Sequence, residues 1–456
     1  MNTYRFTLRL SPGWCLLLLA TLAAAASAQD TLSLSERDAA TRASTDNPVV
    51  LAAHLGLRAS EKQLSGAWRQ YSPTITANAR YTYLNDDLAL GIPAITLPLP
   101  PRGLTLTLDP IHLLDRSTLR ADVTATLPLF TGLRIESGIR AARHLVQEAT
   151  AEDSLALQKT VAEGLVDYQR CLLADANVRA REEAYATVSR HHHEVGSLRA
   201  QGIATQYDLI RADLAVAEAD RALEEARTQR VLAYRMLKKT LALPEGTVLT
   251  LTDSLCYRPC SLHVEDAVAE AQSARPEKAV IREKQEEVRA LSCVEKGKML
   301  PQIGAFAVYE LNRNALTQLD PRWAVGISAS FTIFNGLKDL ASGQVYDIQE
   351  SKLNALQQEA TNAVDLEVRR YYTDLQTAEH NIRSSQTALA LAQEALRMAD
   401  RRFETGTGTS LEVIDAQTSL VASRTGLAAA LFSYDSSYVQ LLRAMGRTAD
   451  LLNGAL

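Results

Sequence analysis

The sequence follows one pattern twice, and this internal duplication is the feature that most restricts its fold. Identical residues recur at an offset of 228 early in each half and at an offset of 204 further on. The matched pairs include Leu34 and Leu262, Asp38 and Asp266, Pro48 and Pro276, Pro73 and Pro301, Phe130 and Phe334, Gly132 and Gly336, Tyr168 and Tyr372, and Tyr234 and Tyr438. Because the offset changes once, by 24 residues, one loop of the first half is longer by that amount. We therefore expect two structural repeats with the same order of elements.

Each repeat contains two short segments in which apolar and polar residues alternate. In "ITANARYTY" the odd positions from Ile75 to Tyr83 are apolar and the even positions are polar, and "RADVTATLPLF" and "WAVGISASFTIF" alternate in the same way. "IGAFAVYEL" alternates less clearly, since Phe306 and Val308 occupy its even face. This period predicts strands with one apolar face, of a length that suits tilted transmembrane strands. A half-buried sheet in a soluble domain is the alternative.

Four strands in one chain are too few to close a barrel. Open sheet edges are not tolerated in lipid, because their backbone groups would lack hydrogen-bond partners. Strands that cross a membrane would therefore have to be shared among several chains. Two chains would give eight strands with a filled interior, whereas three would give twelve, which is wide enough for a lumen.

The helical segments are too long for an ordinary globular domain. No proline occurs between Pro128 and Pro244, or after Pro321. The pattern from Arg134 to about Arg199 is helical, which corresponds to a helix on the order of 100 Å long. In the second half, small and apolar residues alternate in steps of four and three, which predicts coiled-coil packing. This seam consists of Val364, Val368, Tyr371, Leu375, Ala378, Ile382, Ser385, Leu389, Ala392, Leu396, Ala399 and Phe403.

The N-terminus has the features of a secretory signal peptide. Arg5 and Arg9 precede an apolar run from Cys15 to Ala26, and small residues follow up to a cleavage position after Ala28. The run is too short for a membrane-spanning helix, although an N-terminal anchor helix is the alternative interpretation. The net charge of −5 does not indicate nucleic-acid binding.

These patterns divide the chain into a signal peptide (1–28), a first repeat (29–242), a linker (243–260), a second repeat (261–446) and a C-terminal tail (447–456). In the first repeat we predict strands at about 74–84 and 119–130 and long helices at about 134–200 and 205–242. In the second repeat we predict strands at about 302–311 and 323–334 and long helices at about 338–404 and 409–446.

The cysteines and histidines offer few candidates for chemistry. Because an exported chain meets an oxidising compartment, the spacing of Cys256 and Cys260 allows a disulfide. His263 would permit a metal site there, but the disulfide is favoured. The run His191–His193 is interpreted as a solvated helix face rather than a ligand set. We expect no metal, no cofactor and no enzymatic activity, since no nucleophile–base pair or phosphate-binding loop is apparent.

The segment "RRFETGTGTSLEVIDAQTSL" interrupts the long helical pattern of the second repeat. Gly406 and Gly408 are expected to end the incoming helix and to allow the left-handed backbone of a reversal. Thr409 and Glu412 have the spacing of a capping box, which would start the outgoing helix. The first repeat has a similar arrangement at Gly202, Thr205 and Asp208. Each break is therefore predicted to be a helical hairpin.

The whole mature chain resembles the TolC family of outer-membrane efflux proteins. The resemblance is carried by the duplicated helix–hairpin–helix order, by "DNP" near the start and above all by "GTGTSLEVIDA" from Gly406 to Ala416. It implies a trimer in which a twelve-stranded outer-membrane β-barrel, with four strands from each chain, is continued by a coiled-coil periplasmic tunnel of α-helices. In such a trimer the hairpins would form the far tip of the tunnel.

The resemblance also implies roles for the tips. They would contact a periplasmic adaptor (membrane fusion) protein through Gly202, Ile203, Ala204, Thr205, Gly406, Thr407, Gly408 and Thr409. Asp415, with Glu412, would face the pore as a ring of acids that favours cations and opposes tight closure. Asp208 and Arg211 are candidate partners; in an alternative arrangement, Arg211 would instead pair with Asp415 across neighbouring hairpins and hold the tip shut. A solvated surface role for Asp415 remains the alternative. Phe403 and Gly408 depart from the family, which puts a latch bonded through those positions in doubt.

We therefore interpret the chain as the exit duct of a tripartite efflux system in the bacterial outer membrane, with a periplasmic extension. Such a duct would passively conduct cargo received through the adaptor from an inner-membrane pump of the RND or ABC type. One alternative is the outer-membrane duct of a type I protein secretion system. An alternative of another class is a periplasmic coiled-coil scaffold that does not conduct.

Overall fold

The computed structural model describes residues 31–91, 93, 95–97, 104–106, 110–317 and 320–453. The signal peptide predicted at 1–28 lies outside the described residues. The helices are α1 (Glu36–Thr45), α2 (Pro48–Trp68), α3 (Arg134–Ala200), α4 (Gln206–Thr240), α5 (Val264–Ala274), α6 (Pro276–Lys296), α7 (Lys338–Glu404), α8 (Ser410–Met445) and α9 (Thr448–Asn453). The strands are β1 (Thr31–Leu34), β2 (Thr74–Tyr83), β3 (Leu88–Leu90), β4 (Ile95–Leu97), β5 (Leu104–Leu106), β6 (Ile111–Leu114), β7 (Ser117–Phe130), β8 (Val248–Leu251), β9 (Gln302–Glu310) and β10 (Trp323–Ser330).

Proline divides the shorter helical segment at the start of each repeat. α2 begins at Pro48 and α6 begins at Pro276, so each of these segments consists of two consecutive helices. Proline fits at the first position of a helix but cannot continue one, because it lacks the amide hydrogen. Asn47 caps the first break, since its Oδ1 accepts from Val49 N and its Nδ2 donates to the carbonyl oxygen of Thr240.

The heptad seam predicted on α7 is confirmed by burial. Val364, Val368, Leu375, Ala378, Ile382, Ala392 and Ala399 are all buried. The remaining seam positions, from Tyr371 to Phe403, are half-buried. Several of these residues pack with Tyr434 and Leu441 of α8 in one apolar cluster. Steps of four and three keep one stripe of a helix facing its neighbour, which is why the pattern alone located the packed face.

The four long strands form one antiparallel sheet in the order β10-β9-β7-β2. In the β2–β7 pair, Ala77 lies opposite Val123 and Asn78 lies opposite Asp122. In the β9–β10 pair, Val325 lies opposite Ala307. Residues with the same parity share a face, so one face of the sheet is apolar across all four strands. β10 and β2 form the two edges of the sheet.

The weak alternation of β9 has a local explanation. Phe306 lies opposite Gly326 on the polar face. A β-carbon placed on Gly326 would come within 2.9 Å of the Phe306 ring. The ring therefore covers the glycine, and the apolar side chain fills the space left by a missing one.

The turn from strand to helix is the same in both repeats. Gly132 and Leu133 after β7, and Gly336 and Leu337 after β10, all have positive φ between 61° and 72°. The first of these turns also closely contacts the segment that follows α6. A β-carbon on Gly132 would overlap the carbonyl oxygen of Gly297 and lie 2.8 Å from Leu300 Cβ, whereas one on Gly336 would meet no atom of the described chain within 4 Å.

The longer loop of the first repeat contains short strands that periodicity did not predict. β3 pairs with β6, and β4 pairs with β5, both antiparallel. Leu88, Leu90 and Leu106 are exposed on these strands.

The chain divides into two compact units. One consists of the described residues of Met1–His54, Asp153–Pro276 and Thr361–Leu456, and the other of Leu55–Glu152 and Glu277–Ala360. In the first unit, β1 pairs in parallel with β8 of the linker. The buried Tyr168 hydroxyl donates to the carbonyl oxygen of Leu34 and to Asp253 Oδ2, at 3.0 and 2.7 Å, which attaches this pair to α3. The second unit contains the four-stranded sheet. No helix among the described residues combines the length and the apolar character needed to cross a lipid bilayer.

Candidate functional site at the helical hairpins

The hairpin of the first repeat reverses the chain at Gly202. Its φ of +77° is accessible to glycine at little cost, and the amide of Ile203 donates to the carbonyl oxygen of Leu198 at 2.9 Å. α4 then begins with a full capping box. The Thr205 hydroxyl accepts from Asp208 N, and the Asp208 carboxylate accepts from Thr205 N. These bonds lower the pKa of Asp208 and commit it to the cap.

The hairpin of the second repeat uses its two glycines for different reasons. Gly406 has a φ of +72°, as expected for the reversal. Gly408 does not have a positive φ, so the expectation of a left-handed backbone at both positions was wrong. A β-carbon on Gly408 would lie 2.9 Å from Arg402 Cβ, and its amide donates to the carbonyl oxygen of Arg402 at 2.8 Å. Gly408 therefore permits close approach of the loop to the end of α7.

The capping box expected at Thr409 and Glu412 is only half formed. The Thr409 hydroxyl accepts from Glu412 N at 3.3 Å. The Glu412 carboxylate turns to Arg402 instead, with Oε2 3.2 Å from Nη1. Arg402 Nη2 also donates to the carbonyl oxygen of Thr407 at 3.3 Å. Arg402 therefore joins the loop to the first turn of α8, and Glu412 serves that ion pair.

Of the two acids Glu412 and Asp415, Asp415 is the one that is exposed and unengaged within the described chain. It lies three residues after Glu412, so both side chains belong to the same face of α8. No ion pair or side-chain hydrogen bond involves its carboxylate within the described chain. Arg211, its predicted partner between hairpins, donates to the Tyr207 hydroxyl at 3.0 Å and stacks on the Tyr207 ring in the same chain. Pairing between chains remains a prediction, as do the adaptor contacts of the exposed tip residues.

The interpretation of His191–His193 as a solvated face was wrong for His191. His191 is 6% exposed, and its Nε2 lies 2.8 Å from Ser410 Oγ. The edge of its ring packs against Phe403, with centroids 4.8 Å apart. Burial lowers the pKa of His191, so the neutral imidazole is favoured. His192 pairs with Asp213 at 2.7 Å, and His193 is exposed.

His191 and Ser410 join the hairpins of the two repeats. His191 lies on α3 and Ser410 is the first residue of α8. Phe403 contributes a ring contact with His191 to this junction and no side-chain hydrogen bond. The triple histidine run was the sequence feature that pointed to this position. It did not reveal that His191 is buried, because that burial involves Ser410, which lies 219 positions away.

The linker contains the two cysteines for which a disulfide was predicted. Cys256 and Cys260 are free thiols in the structure, so the disulfide remains a prediction for the exported chain. Tyr257 between them packs edge-on against Tyr434 at 5.0 Å and donates to Glu379 Oε1 at 2.8 Å. Within the described residues, no group of three or more His, Cys, Asp or Glu side chains is placed to hold a metal ion.

A cavity of about 620 Å³ lies among α1, the linker and α8, in the unit that contains the hairpins. Glu36, Gln169, Arg258 and Asp435 are among its lining residues. Burial and then the charge of Glu36 raise the pKa of Asp435 to about 7. None of the predicted tip residues lines this cavity. No sequence pattern indicated this cavity, because its acids Glu36 and Asp435 come from segments about 400 residues apart.

The sequence profile of the family described as outer membrane efflux protein matches residues 267–447. No curated protein matches the chain. The matched region includes the second hairpin, with the segment from Gly406 to Ala416 on which the resemblance seen in the sequence mainly rests.

Solved outer-membrane channels share the fold of nearly the whole chain. The CmeC channel of Campylobacter jejuni is 13% identical with a TM-score of 0.73, over 90% of this chain and 85% of that one. VceC of Vibrio cholerae is 15% identical with a TM-score of 0.71, over 90% and 96%. The open state of MtrE of Neisseria gonorrhoeae is 17% identical with a TM-score of 0.66, over 90% and 88%. The expected fold class is confirmed.

Proposed function

Because the profile of the outer membrane efflux protein family matches residues 267–447 and solved outer-membrane channels share the fold, we propose that three copies form the passive exit duct of a tripartite efflux system. In this role the chain is an outer-membrane transport protein and not an enzyme, which the partial family match and the shared fold support. In the proposed assembly an inner-membrane pump of the RND or ABC type supplies the energy, and a periplasmic adaptor meets the hairpin tips. Three sheets of four strands would complete one barrel of twelve, since a single sheet leaves two open edges.

The observation that carries the proposal is the contrast between the two tip acids. Glu412 is engaged by Arg402, whereas the Asp415 carboxylate is exposed and free of partners within the described chain. An acid that only stabilised its own hairpin would be engaged like Glu412. Three free carboxylates near a common axis would instead attract cations to the entrance and would resist tight closure.

We expect Asp415→Ala to weaken block of the channel by a trivalent cation such as hexaamminecobalt(III) by about tenfold, because three negative charges leave the entrance. The measurement is single-channel recording in planar bilayers, with purified full-length protein. Glu412→Ala should have a smaller effect, since its charge is already balanced by Arg402. Glu218→Ala, which removes an exposed acid of α4 outside the proposed ring, is the matched control.

Unchanged block and conductance in Asp415→Ala would refute the role of Asp415 while leaving the duct intact. A wild-type protein that inserts no channel and stays out of the membrane fraction would refute the duct itself. That second result would favour the periplasmic scaffold.

The His191–Ser410 bond supports a role in holding the hairpins of the two repeats together. We expect Ser410→Ala to cost about 1–2 kcal/mol at the tip, because it leaves a buried imidazole without its partner. The resting conductance in planar bilayers should rise as the hairpins separate more often. Ser419→Ala is the control, since that hydroxyl bonds only to its own helix at the carbonyl oxygen of Asp415. Equal conductance in both variants would contradict the role.

A further inference from the structure

The strand pairs β2–β7 and β9–β10, one from each repeat, have the same register. The offset of 228 relates β2 to β9, and the offset of 204 relates β7 to β10. Under these offsets the pair Tyr81–Leu119 becomes Tyr309–Trp323, and Thr74–Thr126 becomes Gln302–Ser330. Every residue pair of β9–β10, from one end to the other, therefore corresponds to a residue pair of β2–β7. The duplication therefore holds at the level of single backbone pairs.

A third pairing joins the repeats within the chain, and its counterpart is missing. β7 pairs with β9, so the second strand of the first repeat meets the first strand of the second repeat. Because β10 corresponds to β7 and β2 corresponds to β9, the duplication predicts that β10 pairs with a β2 strand. In the described sheet, β10 and β2 lie at opposite edges, about 14 Å apart at the usual strand spacing, so they cannot pair within one chain.

The end of β10 shows where a partner strand is needed. The last β2–β7 pair is at Thr126, but β7 continues to Phe130 with β9 as its partner there. The counterpart β10 ends at Ser330, where its pairing with β9 ends. The following apolar side chains are strongly exposed. They are Phe331 (56% exposed), Ile333 (88%) and Phe334 (76%). In the first repeat, the corresponding residues of β7 either pair with β9 or lie next to a residue that does.

We propose that β10 pairs antiparallel with β2 of a second copy of this chain, in the register that β7 has with β9. This inference rests on the proposed assembly and adds the pairing of individual residues. It places Ile327 opposite Tyr81 of the partner subunit, Ala329 opposite Ala79 of the partner subunit and Phe331 opposite Ala77 of the partner subunit. On the other face it places Ser328 opposite Arg80 of the partner subunit, Ser330 opposite Asn78 of the partner subunit and Thr332 opposite Thr76 of the partner subunit.

The pattern of apolar and polar side chains supports this register, and that pattern was not used to obtain it. Apolar residues meet apolar residues on one face, and polar residues meet polar residues on the other. A slip of one position would bring each apolar residue opposite a polar one, because side chains alternate between faces. The continuous apolar face would then end at the subunit boundary. Joined in this register, three copies carry one apolar face around a closed sheet.

Disulfide cross-linking of the full-length protein in outer membranes tests the register. Ala329→Cys with Ala79→Cys, and separately Ser330→Cys with Asn78→Cys, should each give a covalent trimer on oxidation with copper phenanthroline. Directly opposed residues have Cα atoms about 4.5–5.5 Å apart, within the range for a disulfide. Ala329→Cys with Ala77→Cys is the matched control, because diagonal positions are about 7–8 Å apart. We expect at least fivefold more covalent trimer for the opposed pairs than for this control.

Single-cysteine variants correct for bonds to the native cysteines, and peptide mass spectrometry identifies the linked positions. If the control links as well as the opposed pairs, or if neither opposed pair links in protein that conducts ions, the register is refuted and the duct stands. If every variant and the wild type are monomeric and do not conduct, both the register and the proposed function fail. Should one cysteine pair prevent export, the other pair on the opposite face decides.

Discussion

Substitution of Gly132 by alanine should prevent stable assembly of the protein, whereas the same change at Gly336 should be tolerated. Both glycines have a positive φ after a strand, so alanine strains the backbone equally at about 1–2 kcal/mol. Only at Gly132 would the new methyl group also overlap the carbonyl oxygen of Gly297 and crowd Leu300. Overpacking adds about 1–3 kcal/mol, so we expect a total of roughly 2–5 kcal/mol for Gly132→Ala.

Gly336→Ala is therefore the matched control, because Gly336 has the same backbone conformation as Gly132 but lacks its close contact. The measurement is the midpoint of thermal unfolding of the purified protein, together with the yield of folded protein in the membrane. Gly297→Ala separates the two effects, because this residue does not have a positive φ but would approach the Gly132 backbone and Arg134 Cγ. It should lower stability by about 1–3 kcal/mol. Equal midpoints for Gly132→Ala and Gly336→Ala would show that the contact with Gly297 and Leu300 is unimportant.

Asp435→Asn should stabilise the protein at pH 8 and have little effect at pH 4. The carboxyl of Asp435 has a pKa of about 7 in the fold against an ordinary value of 3.8, because it is half-buried in the cavity wall beside Glu36. A shift of this size has an upper bound of about 4 kcal/mol, which half-burial and solvent screening reduce to roughly 1–3 kcal/mol. The amide keeps the shape of the neutral acid and removes the cost of the charge.

The direction of the pH dependence follows from proton binding. The folded state holds a proton on Asp435 more tightly than the unfolded state, so stability falls as pH rises from about 4 to about 7 and then levels off. Glu36 and Arg258 are the charged groups that face Asp435, and the positive charge of Arg258 opposes the effect. Unfolding midpoints of wild type and Asp435→Asn should therefore diverge across this interval. Glu163→Gln, an exposed acid of α3 outside the cavity, should follow the wild type. Parallel curves would contradict the raised pKa.

Local patterns in the sequence were sufficient for the parts of the fold that depend on neighbouring residues. The alternation in "ITANARYTY" located the apolar face of β2, and steps of four and three located the packed stripe of α7. Thr205 and Asp208 were correctly recognised as a helix cap, because the bonds of a capping box connect residues only three apart. The offsets of the duplication were read from identical residues, and the strand registers agree with them.

The candidate site depended more on contacts between distant segments, and there the sequence was a weaker guide. Glu412 had the spacing of a cap, yet it pairs with Arg402 across the loop. His191 lay in a polar run and is nevertheless buried against Phe403 and Ser410. The glycine–glycine contact of Gly132 with Gly297 likewise has no local signature.

The sequence by itself determined the two repeats, the long helices, the apolar faces and the positions of the hairpins, because periodicity and capping act over a few residues. Tertiary structure alone decided which tip acid stays free, which histidine is buried and why Asp435 holds its proton. Those properties depend on charges and atoms brought together from positions far apart in the chain, and no local pattern encodes such neighbours.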